Sequence, residues 1–254
     1  MGFDTPCRRE HNAPIHEAGI EHETRDDAAR EGAPMSHPDS TAPADLRPFR
    51  VGDDLTNPVT GEYAKIIELP WENPEGRGRA ELLAVVGARV LGEHVHRGLI
   101  ERFTVLDGEL TVRLDGVTRL LHEGENAEIR PGQWHDWWNA ADHDARVLVE
   151  VLPGERFLYM IETIFGLAEG GHVNKKGMPD LLQMVMVGRA FSDVVQFRSP
   201  PPPVQKVLFA VLAPLAHALG YRGTYPQLSR SIAPRSNADG PTQTAPTLDA
   251  LTSV

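Results

Sequence analysis

The stretch His94-Val95-His96-Arg97-Gly98-Leu99-Ile100-Glu101 decides how this chain is read. Two histidines one residue apart on a strand point to the same face, so both imidazoles reach one point in space. Glu101 follows after a short turn, at the start of the next strand, where its carboxylate can close on that point from a neighbouring strand. Further along, Pro131-Gly132 makes a tight turn and His135 begins another strand. Three imidazole nitrogens and one carboxylate oxygen suit one divalent transition metal: Fe, Mn, Ni, Co or Zn. Calcium and magnesium want all-oxygen shells.

The surrounding pattern is β between about residues 47 and 152. Short apolar runs recur at Tyr63 to Leu69, Leu82 to Val86 and Phe103 to Leu106, separated by turn residues. Asp107-Gly108 reads as a hairpin, because glycine accepts positive φ without a Cβ clash. Leu110, Val112 and Leu114 alternate with Thr111 and Arg113 as a half-buried strand, and Asp115-Gly116 makes the next turn. Val147, Val149 and Val151 alternate at the end of the region. Many short strands at close spacing indicate a sandwich or barrel.

These residues resemble the two motifs of the cupin superfamily. The first motif is matched by His94, His96, Glu101 and Gly108, and the second by Gly124, Pro131, Gly132, His135 and Asn139. The resemblance departs at two turns: Gly87 lies one residue further from His94 than is usual, and Pro131 directly precedes Gly132. It covers roughly residues 60–152. It implies a double-stranded β-helix, or jelly-roll barrel, with His94, His96, Glu101 and His135 as metal ligands inside. Gly108, Gly132 and Asn139 are then turn residues.

Outside the barrel, expected at 46–153, the pattern changes. Phe157, Met160, Ile161, Ile164 and Phe165 fall on one helical face, and Gly170-Gly171 ends that helix. Asp180 to Phe191 is a second amphipathic segment. Val204 to Leu219 is a third, kinked near Pro214 and expected to pack against its own domain. The reading is an all-β core with a mainly helical extension over 154–228. Residues 1–45 carry ten acidic and four basic residues with no apolar period, and 229–254 are rich in Ser, Thr, Pro and Ala. Both are expected to be disordered tails.

The formal net charge of -11 repels phosphate backbones, so nucleic acid is not an expected partner. The single cysteine, Cys7, forms no internal disulfide, and no signal-like or spanning apolar run occurs. A cytoplasmic protein that binds a small molecule, lies on no membrane and forms a homodimer is expected.

Phe103 and Val105 share the face of Glu101, and Trp137 shares the face of His135, so the pocket is expected to be mostly apolar beyond the metal. Glu150 sits between two valines on the opposite parity. It is either the pocket's one acid–base group or part of a surface ion pair. Three hypotheses follow. The first is a metal-dependent, oxygenase-like enzyme acting on a small, partly apolar molecule. The second is a non-catalytic ligand-binding or sensor barrel. The third is an interaction protein working through its C-terminal helices.

Overall fold

The computed structural model of the protein describes residues 46–230. The expected tail at 1–45, with Cys7, and the part of the C-terminal tail from 231 onward lie outside the described residues.

Eleven strands form two antiparallel sheets among the described residues. They are β1 (Asp54–Asn57), β2 (Glu62–Glu68), β3 (Gly78–Ala84), β4 (His94–Val95), β5 (Ile100–Asp107), β6 (Glu109–Leu114), β7 (Val117–His122), β8 (Asn126–Ile129), β9 (Trp134–Trp138), β10 (Ala145–Leu152) and β11 (Gln196–Phe197). One sheet runs β1-β2-β3-β10-β5-β8 and the other β11-β4-β9-β6-β7. The late strand β10 is inserted between β3 and β5, and β9 between β4 and β6. This long-range interleaving is that of a jelly roll.

Alternation explains which faces meet. Glu101, Phe103 and Val105 of β5 are buried while Arg102 is not, and Ala145, Val147 and Val151 of β10 turn inward with them. Leu110 and Val112 of β6, Leu121 of β7, Ile129 of β8 and Trp137 of β9 complete the core between the sheets. Each large apolar side chain fully buried there contributes about 1.5–3 kcal/mol.

The outer face of the six-stranded sheet carries the matching polar residues. Register places Arg79, Glu150, Arg102 and Glu128 side by side on four consecutive strands. They form a ladder of ion pairs, with Arg79 to Glu150 at 3.0 Å and Arg102 to Glu128 at 2.5 Å.

Asp115-Gly116 is a two-residue hairpin turn, with φ of 48° and 83°, closed by Leu114 opposite Val117. Asp107-Gly108 is not a hairpin. β5 pairs with β10 and β8, whereas β6 pairs with β7 and β9, so the chain crosses here from one sheet to the other. The dipeptide signal is local and carries no information about which sheet the next strand joins. Gly108 is nonetheless required by its surroundings: at φ 77°, an added Cβ would lie 2.7 Å from the Asp144 carbonyl oxygen.

Four helices follow: α1 (Glu155–Glu169), α2 (Leu181–Ala190), α3 (Pro202–Ala218) and α4 (Gln227–Arg230). Asp180 caps α2, its side chain accepting from the Gln183 amide. α1 packs across β1, and Phe165 joins Phe49, Leu55, Ile66 and Leu69 in a second apolar cluster. Met160 and Leu167 of α1 meet Leu99, Val151, Phe191, Val195 and Tyr225 in a third.

The extension therefore packs on its own barrel, and it also adds β11 to the five-stranded sheet beside β4. Ser229 and Arg230, which the sequence suggested for the C-terminal tail, lie in α4, where Arg230 pairs with the buried Glu162 at 2.5 Å. α3 runs on through Pro214. Its contact face is narrow, with Ala213 and Ala216 buried, while Val204, Val207, Val211 and Leu215 form an exposed row.

Candidate metal centre

His94 of β4 lies directly opposite His135 of β9 in the ladder, and their ring centroids are 4.2 Å apart. His96 follows β4, with its ring 4.9 Å from that of His94 and 5.1 Å from that of His135. Glu101 comes from β5, which belongs to the other sheet, and not from a strand beside β4 as the sequence suggested. The group thus spans the barrel interior, two sheets contributing to one point. All four residues are buried, and one ligand atom from each falls within 4.8 Å of every other.

The backbone orients each imidazole. Nδ1 of His94 lies 2.9 Å from the Gly92 carbonyl, that of His96 2.8 Å from the Val194 carbonyl, and that of His135 3.1 Å from the Gln133 carbonyl. A carbonyl only accepts, so each Nδ1 carries the hydrogen and each Nε2 turns its lone pair inward. Ring positioning of this kind characterises metal-ligating histidines. Val194 follows α2, so the C-terminal extension sets the tautomer of one of the three rings.

The donor set fits a divalent transition metal. Nε2 of His96 is buried and has no hydrogen-bond partner, although Oε2 of Glu101 lies 3.3 Å away off its axis. An orphaned lone pair buried among three other donors is costly unless something bridges them.

Without an ion, a proton takes part of that role. Burial works against the charge on Glu101, but the His135 hydrogen bond and the His96 imidazole beside it outweigh it and hold the carboxyl below the usual range. Burial also opposes charge on His135. The contact of its Nε2 with Oε2 of Glu101, at 3.1 Å, prevails and raises it. His94 is driven down to about 3 by burial and by its two histidine neighbours.

A cavity opens beside the group, with His94 and Glu101 in its wall. Phe103 and Trp137, two of the residues the sequence suggested for the pocket, line it, their ring centroids 6.2 Å apart. Val105 is packed in the core behind them. Glu150 lies on the opposite face of β10, in the ion-pair ladder with Arg79 and Arg102. The residues that β10 gives to the cavity are Val149 and Val151. Phe157 of α1 closes over the site, its ring 5.7 Å from that of His96.

The two remaining tryptophans beside His135 are each covered by an arginine. Arg198 lies over Trp134 at 4.9 Å, and Arg113 over Trp138 at 5.7 Å.

One residue escaped the sequence reading. Glu62, at the start of β2, is buried and lines the same cavity. Its register opposite Ala84 sets it on the inner face, and the Thr60 hydroxyl donates to it. The only signal in the sequence was an acid at the head of an apolar run, which is also what a solvated strand end looks like.

Residues 82–151 match the family model described as "Cupin domain". Among solved structures, the chain is similar to the cupin domain of Cnp3 from Schizosaccharomyces pombe, with 12% identity and a TM-score of 0.33 over 36% of this chain and 64% of that one. It is similar to the cupin domain of an XRE-family transcriptional regulator from Enterobacter cloacae, with 19% identity and a TM-score of 0.32 over 36% of this chain and 96% of that one. It is also similar to KdgF from Halomonas sp., with 20% identity and a TM-score of 0.33 over 37% of this chain and 79% of that one. No curated protein matches the sequence. Through the strand order, the four-residue group and the matched segment, residues 82–151 are read as a cupin domain.

Proposed function

We propose that the protein is a metal-dependent, oxygenase-like enzyme acting on a small, partly apolar organic molecule. The observation that carries this reading is the placement of His94 and Glu101 in the wall of a cavity otherwise lined mostly by Phe103, Trp137, Phe157 and aliphatic side chains. His94, His96, Glu101 and His135 would hold the metal, leaving open positions on an octahedral ion for a ligand. The metal would supply Lewis-acid or redox chemistry there. The chain's own residues orient the site, since Phe157 lies against the His96 ring and the three imidazoles are fixed by backbone carbonyls. A screen of small aromatic and aliphatic acids, ketones and phenols against the iron-loaded protein under air tests the reading. Turnover that disappears in His135→Ala supports it. A metal-loaded protein that binds these compounds without converting them would favour a sensor barrel instead.

A second reading has its own observation. Val204, Val207, Val211 and Leu215 form an exposed apolar row on α3, and such rows mark association surfaces. The cleft between α2 and α3 contains none of the four candidate ligands. A homodimer formed through this face fits both features. Light scattering on wild type and on Val207→Asp with Val211→Asp tests it: a dimer that becomes a monomer is expected, and a wild-type monomer contradicts it.

A further inference from the structure

A second cavity lies outside the barrel, in the cleft between α2 and α3. Gln205, Lys206 and Phe209 line it from one side of α3, while Val204, Val207 and Val211 stand exposed on another. Its volume of about 620 Å³ falls in the range of roughly 300–1,000 Å³ that small-molecule sites occupy. Leu91, Ile164, Val195 and Phe197 line both this cleft and the cavity beside the candidate metal centre, so the two spaces adjoin. The Phe197 ring lies 6.0 Å from that of His94.

The cleft has two unlike ends. Leu181 and Met184 of α2, with Met178 just before the helix, make one end apolar, and the unbranched methionines adapt to an irregular guest. Two cations stand at the β11 end, both exposed at the rim. Arg97 donates from Nε to the neutral carboxamide oxygen of Gln196 at 3.1 Å. Lys206 adjoins Gln205, which donates to the carbonyls of Phe197 and Pro200 at 2.6 Å each.

Among the described residues no acid lines the cleft, and neither Arg97 nor Lys206 makes an ion pair. This runs against the chain as a whole, where Asp and Glu outnumber Lys and Arg by 36 to 25. The acids on flanking segments are engaged elsewhere: Asp180 caps α2, Asp193 pairs with Arg156, and Glu93 pairs with Arg198. Two unpaired cations at one end of an apolar groove suit an anion with a hydrocarbon tail. The head gains charge-assisted hydrogen bonds and the tail leaves water. A neutral or cationic amphiphile gains only the second.

We propose that the cleft between α2 and α3 binds a medium-chain carboxylate, its head at Arg97 and Lys206 and its tail along Met184 and Leu181. The site needs no metal, so it does not rest on the enzyme reading above.

Calorimetric titration of the full chain with dodecanoate, below the concentration at which it forms micelles, tests the proposal. Affinity is expected to rise roughly fourfold per added methylene from octanoate to dodecanoate. Dodecyltrimethylammonium has the same tail and the opposite charge, and should bind about tenfold or more weakly. Arg97→Glu with Lys206→Glu, at two exposed positions, should weaken dodecanoate binding by about tenfold or more. A dodecanoate analogue with a diazirine at the tail end locates the site: it should label Met184 or Leu181. Absence of dodecanoate binding, equal binding of the cationic amphiphile, affinity unchanged by the double charge reversal, or labelling confined to Phe103 and Phe157 in the neighbouring cavity would each overturn the proposal.

Discussion

Nδ1 of His96 lies 2.8 Å from the carbonyl oxygen of Val194, 98 residues further along the chain. That hydrogen bond joins the helical extension to the candidate metal centre. Val194 is held in turn by its own amide, which donates to the Phe191 carbonyl at 2.9 Å, and Phe191 is fully buried under α1.

Phe191→Ala should therefore reach the metal without touching a ligand. Removing a buried aromatic ring costs about 3–5 kcal/mol of stability. Loosening the support of a ligating histidine typically weakens metal affinity by about 10–100-fold. Competition with a fluorescent zinc chelator, at a temperature where the variant is still folded, measures the second effect. Unchanged affinity would show that the extension covers the site without shaping it.

Gly108→Ala tests the crossover between the sheets. Its φ of 77° and the 2.7 Å approach of an added Cβ to the Asp144 carbonyl leave nowhere to relax except β10 itself. A loss of roughly 1–3 kcal/mol is expected in urea unfolding. Gly116→Ala, where no atom lies within 4 Å, should lose less.

Glu62 also predicts a pH dependence of stability. Its folded pKa, about 8, is raised above the ordinary 4.5, so the native state binds the proton more tightly than the unfolded chain. That contribution is full below pH 4.5 and declines as pH rises toward 8, by up to about 1.4 kcal/mol per unit. Glu62→Gln removes this term, so its unfolding free energy should decline less than that of wild type across the window. Parallel curves would contradict the burial of a protonated carboxyl.

Arg230→Ala would strand Glu162, a buried carboxyl on α1 whose pKa burial raises despite the arginine. The guanidinium also covers the Phe49 ring at 4.2 Å. Breaking a buried pair from one side costs about 3 kcal/mol. Glu162→Gln in the same background should recover part of that, and thermal unfolding of the pair of variants reads it directly. No loss in Arg230→Ala would mean that α4 is dispensable.

The strands and the four-residue group were legible because each rests on local periodicity. His94 and His96 share a face by parity alone, and Leu110 and Val112 alternate with polar neighbours as a half-buried strand must. What was not legible depends on partners distant in sequence. The Asp107-Gly108 signal cannot say which sheet comes next. Parity alone did not decide which face of β10 is inward, and Arg79 and Arg102 on the flanking strands place Glu150 outside. The Val194 carbonyl beneath His96 is a backbone group with no side-chain signature. Glu62 became visible only once Ala84 and the cavity were set around it.

The central claim is the metal. Elemental analysis of the full chain, purified without chelator, against His94→Ala with His135→Ala tests it most directly. The account predicts about one Fe, Mn, Co, Ni or Zn per chain in the wild type and none in the double variant. A wild-type chain that holds no metal, even after anaerobic reconstitution, would contradict it.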